Sequence, residues 1–114
     1  MKFGEKIEVL FFRTSAGNEP VREMLSALPE EEKKIIGSDL RAVQWRYPLG
    51  MPTVRAMKHG IFELRSELPN RIARILFVYF EEKIVLLHGF IKKTQKTPPQ
   101  DLETALRRFK ELKQ

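Results

Sequence analysis

Apolar and polar positions along this chain follow two different periods. The first element, EKIEVLFF, alternates with period two, which places Ile7, Val9 and Phe11 on one face of a strand. Its other face holds Lys6 and Glu8, then Leu10 and Phe12. SAGN follows as a loop, with Asn18 the expected N-cap of a helix from Glu19. Val21, Met24, Leu25 and Leu28 then recur at i, i+3, i+4 and i+7, one apolar stripe of a helix. Pro29 breaks that run, and Glu30, Glu31 and Glu32 fall in the first turn of a second helix, where the macrodipole favours acids. Ile36, Leu40, Val43 and Tyr47 continue one face until Pro48 stops it. Two amphipathic helices with a short joint make a helical hairpin.

From Val54 the period returns to two. VRAMKHG, IFELRSEL, RIARILFVYF and KIVLLHGFIKK read as four strands separated by HG, LPN and EEK, breaks of hairpin length. RIARILFVYF is apolar on both faces in its second half, the mark of a central strand covered on both sides. TPPQ then opens a last helix: Thr97 and Gln100 have capping-box spacing, and Pro98 is expected at the first helical position. Leu102, Ala105, Leu106 and Phe109 form its apolar stripe. The order is β-αα-ββββ-α, an α+β class. The expected architecture is an antiparallel sheet with the helical hairpin packed on one face and a C-terminal helix, a single domain over 1–114. Pattern alone leaves the first strand unplaced.

Composition narrows the chemistry. A chain of 114 residues has room for one core and little else. It has no cysteine, which excludes disulfides and thiolate chemistry. No apolar run reaches the length of a membrane span, and MKFGEKIEVLFF lacks the layout of a signal peptide. No membrane partner and a cytoplasmic location are therefore expected. Twenty-one Lys and Arg against fifteen Asp and Glu give +6 and a pI near 9.8, which draws the chain toward polyanions such as nucleic acid or toward acidic proteins.

Individual residues carry the reading further. In IFELRSEL, Phe62, Leu64 and Leu68 point one way and Glu63, Arg65 and Glu67 the other. Arg65 thus stands on a polar face with an acid two residues away on each side. In the next strand Arg74 shares parity with Ile72, Leu76 and Val78. A guanidinium cannot shed its proton, so Arg74 must reach a carboxylate, the surface or a bound anion, with Glu63 and Glu67 the available acids. Tyr79 reads as a core aromatic and His88 as a satisfied core histidine. Lys92, Lys93, Gln95 and Lys96 leave the last strand together, and Lys58 and His59 precede IFELR. Convergence of these groups would suit phosphate, which Arg binds bidentately and Lys as a point charge. RNA brings its own nucleophile, the 2′-hydroxyl, so its cleavage needs a base, an acid and fixed cations but no metal. Neither the H-x-x-x-H nor the EF-hand spacing is present, nor G-x-S-x-G nor a P-loop; no metal and no cofactor are expected.

The series GIFELR, RIARILFVYF and LLHGFIKKTQKTPPQDLETALRR resembles the HigB-like, phage-related branch of the RelE/ParE toxin superfamily, from about Met57 to Arg108. HGFIKKTQKTP is its most specific piece. The resemblance implies a small antiparallel sheet flanked by helices, and a toxin of a type II toxin–antitoxin pair. It implies a ribosome-dependent endoribonuclease that cuts mRNA in the ribosomal A site, against rRNA, without metal. The implied partner is a helix-turn-helix, HigA-like antitoxin, through which alone operator DNA is bound. Residue by residue, Arg65 matches the strand arginine that stabilises phosphate, Arg74 the arginine before the central apolar run, and Lys92 and Lys93 the basic position ending the last strand. These four are the expected catalytic residues, with Lys58, His59, Arg71, Gln95 and Lys96 as expected RNA contacts. The C-terminal tyrosine of RelE has no counterpart in TQKTPPQ, which leaves Lys93, Lys92, His59 and Lys58 as candidates for the general base. A ParE-like gyrase inhibitor shares the fold, and a non-catalytic nucleic-acid-binding remnant of a phage module shares the charge; both stand as alternatives.

Overall fold

The computed structural model describes residues 6–46, 54–92 and 96–114. Tyr47, Pro48, Lys93 and Gln95 lie outside the described residues. The elements are β1 (Val9–Phe11), α1 (Pro20–Ser26), α2 (Glu30–Arg46), β2 (Val54–Ala56), β3 (Phe62–Glu67), β4 (Ile72–Phe80), β5 (Lys83–Lys92) and α3 (Pro99–Leu112). Their order is the one the periodicity predicts.

One five-stranded sheet runs in the order β1-β5-β4-β3-β2. Strands β2 to β5 form an antiparallel meander, and β1 joins β5 in parallel, with Val9 opposite Ile84 and Phe11 opposite Leu86. The sheet is therefore mixed, and the strand that the pattern left unplaced closes the β5 edge. A parallel pairing needs a long return path. The helical hairpin supplies it, carrying the chain from β1 across one face to β2 at the opposite edge.

Three layers result. On the α1/α2 face, Ile7, Val21, Ile36, Val43, Leu64, Ala73, Ile75, Phe77, Ile84 and Leu86 make one core. On the α3 face, Phe12, Ile61, Leu76, Val78, Val85, Leu87, Phe90 and Ala105 make a second. Strand β4, third in the order, is buried from Ala73 to Val78, which is why its sequence is apolar at both parities. The α1/α2 layer is also bolted on by polar contacts. Ser66 Oγ donates to Asp39 Oδ2 at 2.7 Å, Gln44 Nε2 donates to the Ile7 carbonyl at 2.7 Å, and Arg71 makes a two-pronged bond to Glu32 at 2.6 and 3.1 Å. Gly89 leaves room for the Met24 side chain of α1 over β5, since a Cβ there would stand 2.7 Å from its methyl carbon and push that flexible tip aside.

Two helix starts differ from the expectation. α1 begins at Pro20 with Glu19 as its N-cap; the Asn18 amide instead donates to the Thr14 hydroxyl within the loop. α3 begins at Pro99, with Pro98 as N-cap and no side-chain cap. Thr97 stands one residue before that N-cap, and its hydroxyl donates to Glu63 in the sheet.

Candidate functional site

The site candidate lies on the α3 side of the sheet, beyond the end that α3 covers. Pairing register builds it. Arg65 on β3 stands directly opposite Arg74 on β4, and Arg74 directly opposite Phe90 on β5. Residues opposed in register share a face, so the polar side of β3 and the last residues of β5 belong to one surface. Glu67, Ile72 and Lys92 form the next row of the same parity.

Arg74 is 1% exposed, among the largest fully buried side chains, and its Nη1 donates to Glu63 Oε1 at 2.9 Å. Of the two acids that the sequence offered, Glu63 is the one it meets. Glu63 is itself 2% exposed and also receives Arg55 Nη2 at 3.4 Å and the Thr97 hydroxyl. Arg65 behaves differently. Its side chain is 36% exposed; among the described residues its one acid contact is a long 3.9 Å approach to Glu67, and its Nε is buried with no hydrogen-bond partner. Two guanidinium groups opposed across a strand pair repel each other. The arrangement persists because Glu63 offsets one of the two charges.

His88 sits one same-face step from this row, opposite Leu76 and stacked on Phe90 at 5.7 Å. Its Nε2 lies 2.7 Å from Asp101 Oδ1, in the first turn of α3, and Arg108 Nη1 lies 3.3 Å from Nδ1. Arginine has no acceptor, so Nδ1 accepts and Nε2 carries the proton to Asp101. Both ring nitrogens are thereby committed to docking α3, as a satisfied core histidine requires. Arg108 also donates to the Leu87 carbonyl at 2.9 Å. Burial, then its neighbour Arg107, push its pKa below the ordinary guanidinium value, with Glu111 opposing.

The remaining expected RNA contacts fall elsewhere. Lys58 and His59 form the exposed β2–β3 turn, with His59 at φ 61°, and the adjoining Gly60 lies against Phe109 near the far end of α3. From Phe62 to Arg65 the strand advances about 10 Å, so this turn stands well away from the arginine row. Arg71 follows the β3–β4 turn and is engaged by Glu32 of α2, which raises its pKa through that hydrogen bond against the opposing effect of burial. Lys96 is exposed just before Thr97. The structure therefore gathers Arg65, Arg74 and the end of β5, and separates Lys58, His59 and Arg71 from them.

Sequence reading missed Thr97, Arg55, Asp101 and Arg108. The histidine on an apolar strand was a usable signal for Asp101, since a buried imidazole needs polar partners and this is the first acid after it. Among the described residues, no three His, Cys, Asp or Glu side chains gather as a metal-binding group, and no helix is long and apolar enough to cross a membrane.

Residues 23–110 match the family described as "Phage derived protein Gp49-like (DUF891)". The chain is also 33% identical over 104 residues to a protein named "Probable endoribonuclease HigB1" in two strains of Mycobacterium tuberculosis, CDC 1551 / Oshkosh and ATCC 25618 / H37Rv. Each match covers 88% of this chain and 80% of the relative.

Proposed function

Since the chain belongs to the phage-derived Gp49-like family and is a HigB-like member of the RelE/ParE toxin superfamily, we propose that it is the toxin of a type II toxin–antitoxin pair and acts as a metal-independent endoribonuclease on mRNA in the ribosomal A site. The observation that carries this reading is the Arg65–Arg74 pair, two opposed guanidiniums on a sheet face in register with the end of β5. The name of the Mycobacterium tuberculosis relative supports the reaction class.

The chemistry follows from RNA itself. The 2′-oxygen attacks the adjacent phosphorus as its proton passes to a base, and the P–O5′ bond breaks as the 5′-oxygen gains a proton from an acid. Negative charge grows on the phosphorane between these events. Arg65 is the exposed cation for it, and its Nη groups can donate to a non-bridging oxygen. Arg74 lies beside it as a fixed, buried charge. Lys92 and Lys93 supply the remaining cations, and Lys93 is the preferred general base, because neighbouring cations lower a lysine pKa. His88 takes no part in proton transfer, since both of its ring nitrogens are spoken for. Lys96 extends the track along the RNA. The protein acts in the cytoplasm and is held inactive by a helix-turn-helix antitoxin, through which it reaches operator DNA.

The decisive experiment induces the protein with and without the gene beside it and maps 5′ ends of cellular RNA. New mRNA ends within reading frames, and their loss on co-expression of the neighbour, are the expected outcome. Growth arrest with DNA-damage signalling and no new RNA ends would instead identify a gyrase inhibitor. No growth effect at high expression would identify a non-catalytic nucleic-acid binder.

A further inference from the structure

Glu63 is the least expected acid in the sheet. By parity it belongs to the polar face with Glu67, yet Glu67 is 76% exposed and Glu63 is 2% exposed. A buried carboxylate is costly unless donors surround it. Three arrive, from three separate parts of the fold: Arg74 Nη1 from β4, Arg55 Nη2 from the edge strand β2, and the Thr97 hydroxyl from the residue two before α3. Stability alone does not call for such a hub, since well-packed apolar residues in place of a buried ion pair are often as stable or more so.

The hub does something that apolar packing could not. Register forces Arg65 and Arg74 into opposition. Glu63 engages Arg74 and leaves Arg65 with a single long contact and an Nε without a hydrogen-bond partner among the described residues. One guanidinium is thereby fixed in place while its neighbour stays available to an anion. The same carboxylate holds Thr97, the residue that follows Lys96.

We infer that Glu63 is the positioning residue of the RNA site, its buried carboxylate setting where Arg74 and the Thr97 end of the basic segment stand relative to the scissile phosphate. The inference rests on the ribonuclease reading above. Glu63 touches no reacting atom in it; it acts through Arg74 and Thr97. A misplaced cation costs most where charge develops, in the transition state, whereas ground-state attraction to RNA is spread over many cations. Loss of Glu63 should therefore appear in kcat and leave KM nearly unchanged.

The test uses the full chain in a purified translation reaction with ribosomes and a defined mRNA, comparing wild type with Glu63→Gln, Glu63→Asp and Thr97→Val. Urea unfolding of each protein gives the folded fraction. Expected are a kcat lower by about tenfold or more for folded Glu63→Gln with KM within about threefold, partial recovery in Glu63→Asp, and a loss of about threefold or more in Thr97→Val. A role in stability alone would shift the urea midpoint and leave the kcat of the folded protein at the wild-type value, and that result overturns the inference. Should Glu63→Gln fail to fold, Thr97→Val decides in the same way, because it replaces only the hydroxyl with a methyl group and keeps the Glu63–Arg74 pair. Wild-type protein that leaves the mRNA intact would overturn the ribonuclease reading and this inference with it. Wild-type cleavage with unaffected variants overturns the inference alone.

Discussion

Arg65 and Arg74 face each other across the β3–β4 pair, one 36% exposed at its side chain and the other buried. Directly opposed like charges destabilise a sheet, and nothing in folding alone favours this choice of residues. The cost makes sense where an anion completes the pair. The asymmetry between the two also separates their roles. Changes at Arg65 should read out in function, and changes at Arg74 in stability first.

Arg65→Ala removes a half-exposed cation that repels its neighbour. The urea midpoint should move little, because lost packing of the stem is set against relief of the repulsion from Arg74. Growth arrest on induction should be relieved. Urea unfolding and growth curves check both halves, and a fully toxic Arg65→Ala would remove the phosphate role assigned to it.

Arg74→Met leaves Glu63 buried without its buried countercharge, a situation that costs about 3–5 kcal/mol. The paired change Glu63→Leu with Arg74→Met should recover most of that loss, because neither charge is then stranded. A double-mutant cycle by urea denaturation measures the coupling. Additive losses would show that the buried pair is not the unit described.

Arg71 was expected to contact RNA, and it stands bound to Glu32 across the α2–sheet junction. The pair is partly exposed, so Arg71→Ala should lower the urea midpoint only slightly. The salt dependence of ribosome binding should not change. A log–log slope shallower by about 0.7–0.9 would mean that Arg71 neutralises a phosphate after all.

The β4–β5 hairpin turns through Glu81 and Glu82, both with positive φ, at 50° and 65°. Left-handed backbone costs a non-glycine residue roughly 1–2 kcal/mol, and two-residue turns of this hand favour Asn-Gly. Glu81→Asn with Glu82→Gly should therefore raise stability by about 1–2 kcal/mol, seen as a higher urea midpoint at unchanged slope. RNA cleavage should be unaffected, because the turn lies at the opposite end of β4 from Arg74.

Periodicity carried most of the fold. Ile7, Val9 and Phe11 share the α1/α2 face as their alternation predicts, and the double-sided apolar run of β4 lies at the sheet centre. Caps were less legible, because a short polar side chain has several possible partners. Asn18 and Thr97 both carry capping chemistry, and neither caps. Thr97 falls one residue before the cap and donates its hydroxyl to a glutamate 34 residues away, a contact no local rule could foresee.

What the chain determined by itself was the alternation that separates Glu63, Arg65 and Glu67 from the core residues of β3, and the necessity that Arg74 find a countercharge. Both are local consequences of strand geometry and of a guanidinium that keeps its proton. Tertiary structure decided the partners. Register set Arg65 against Arg74, β1 closed the sheet in parallel, α3 took His88 through Asp101, and Glu63 rather than Glu67 went under cover. Those choices depend on contacts distant in sequence, where many pairings satisfy the same pattern and only the packed whole selects one.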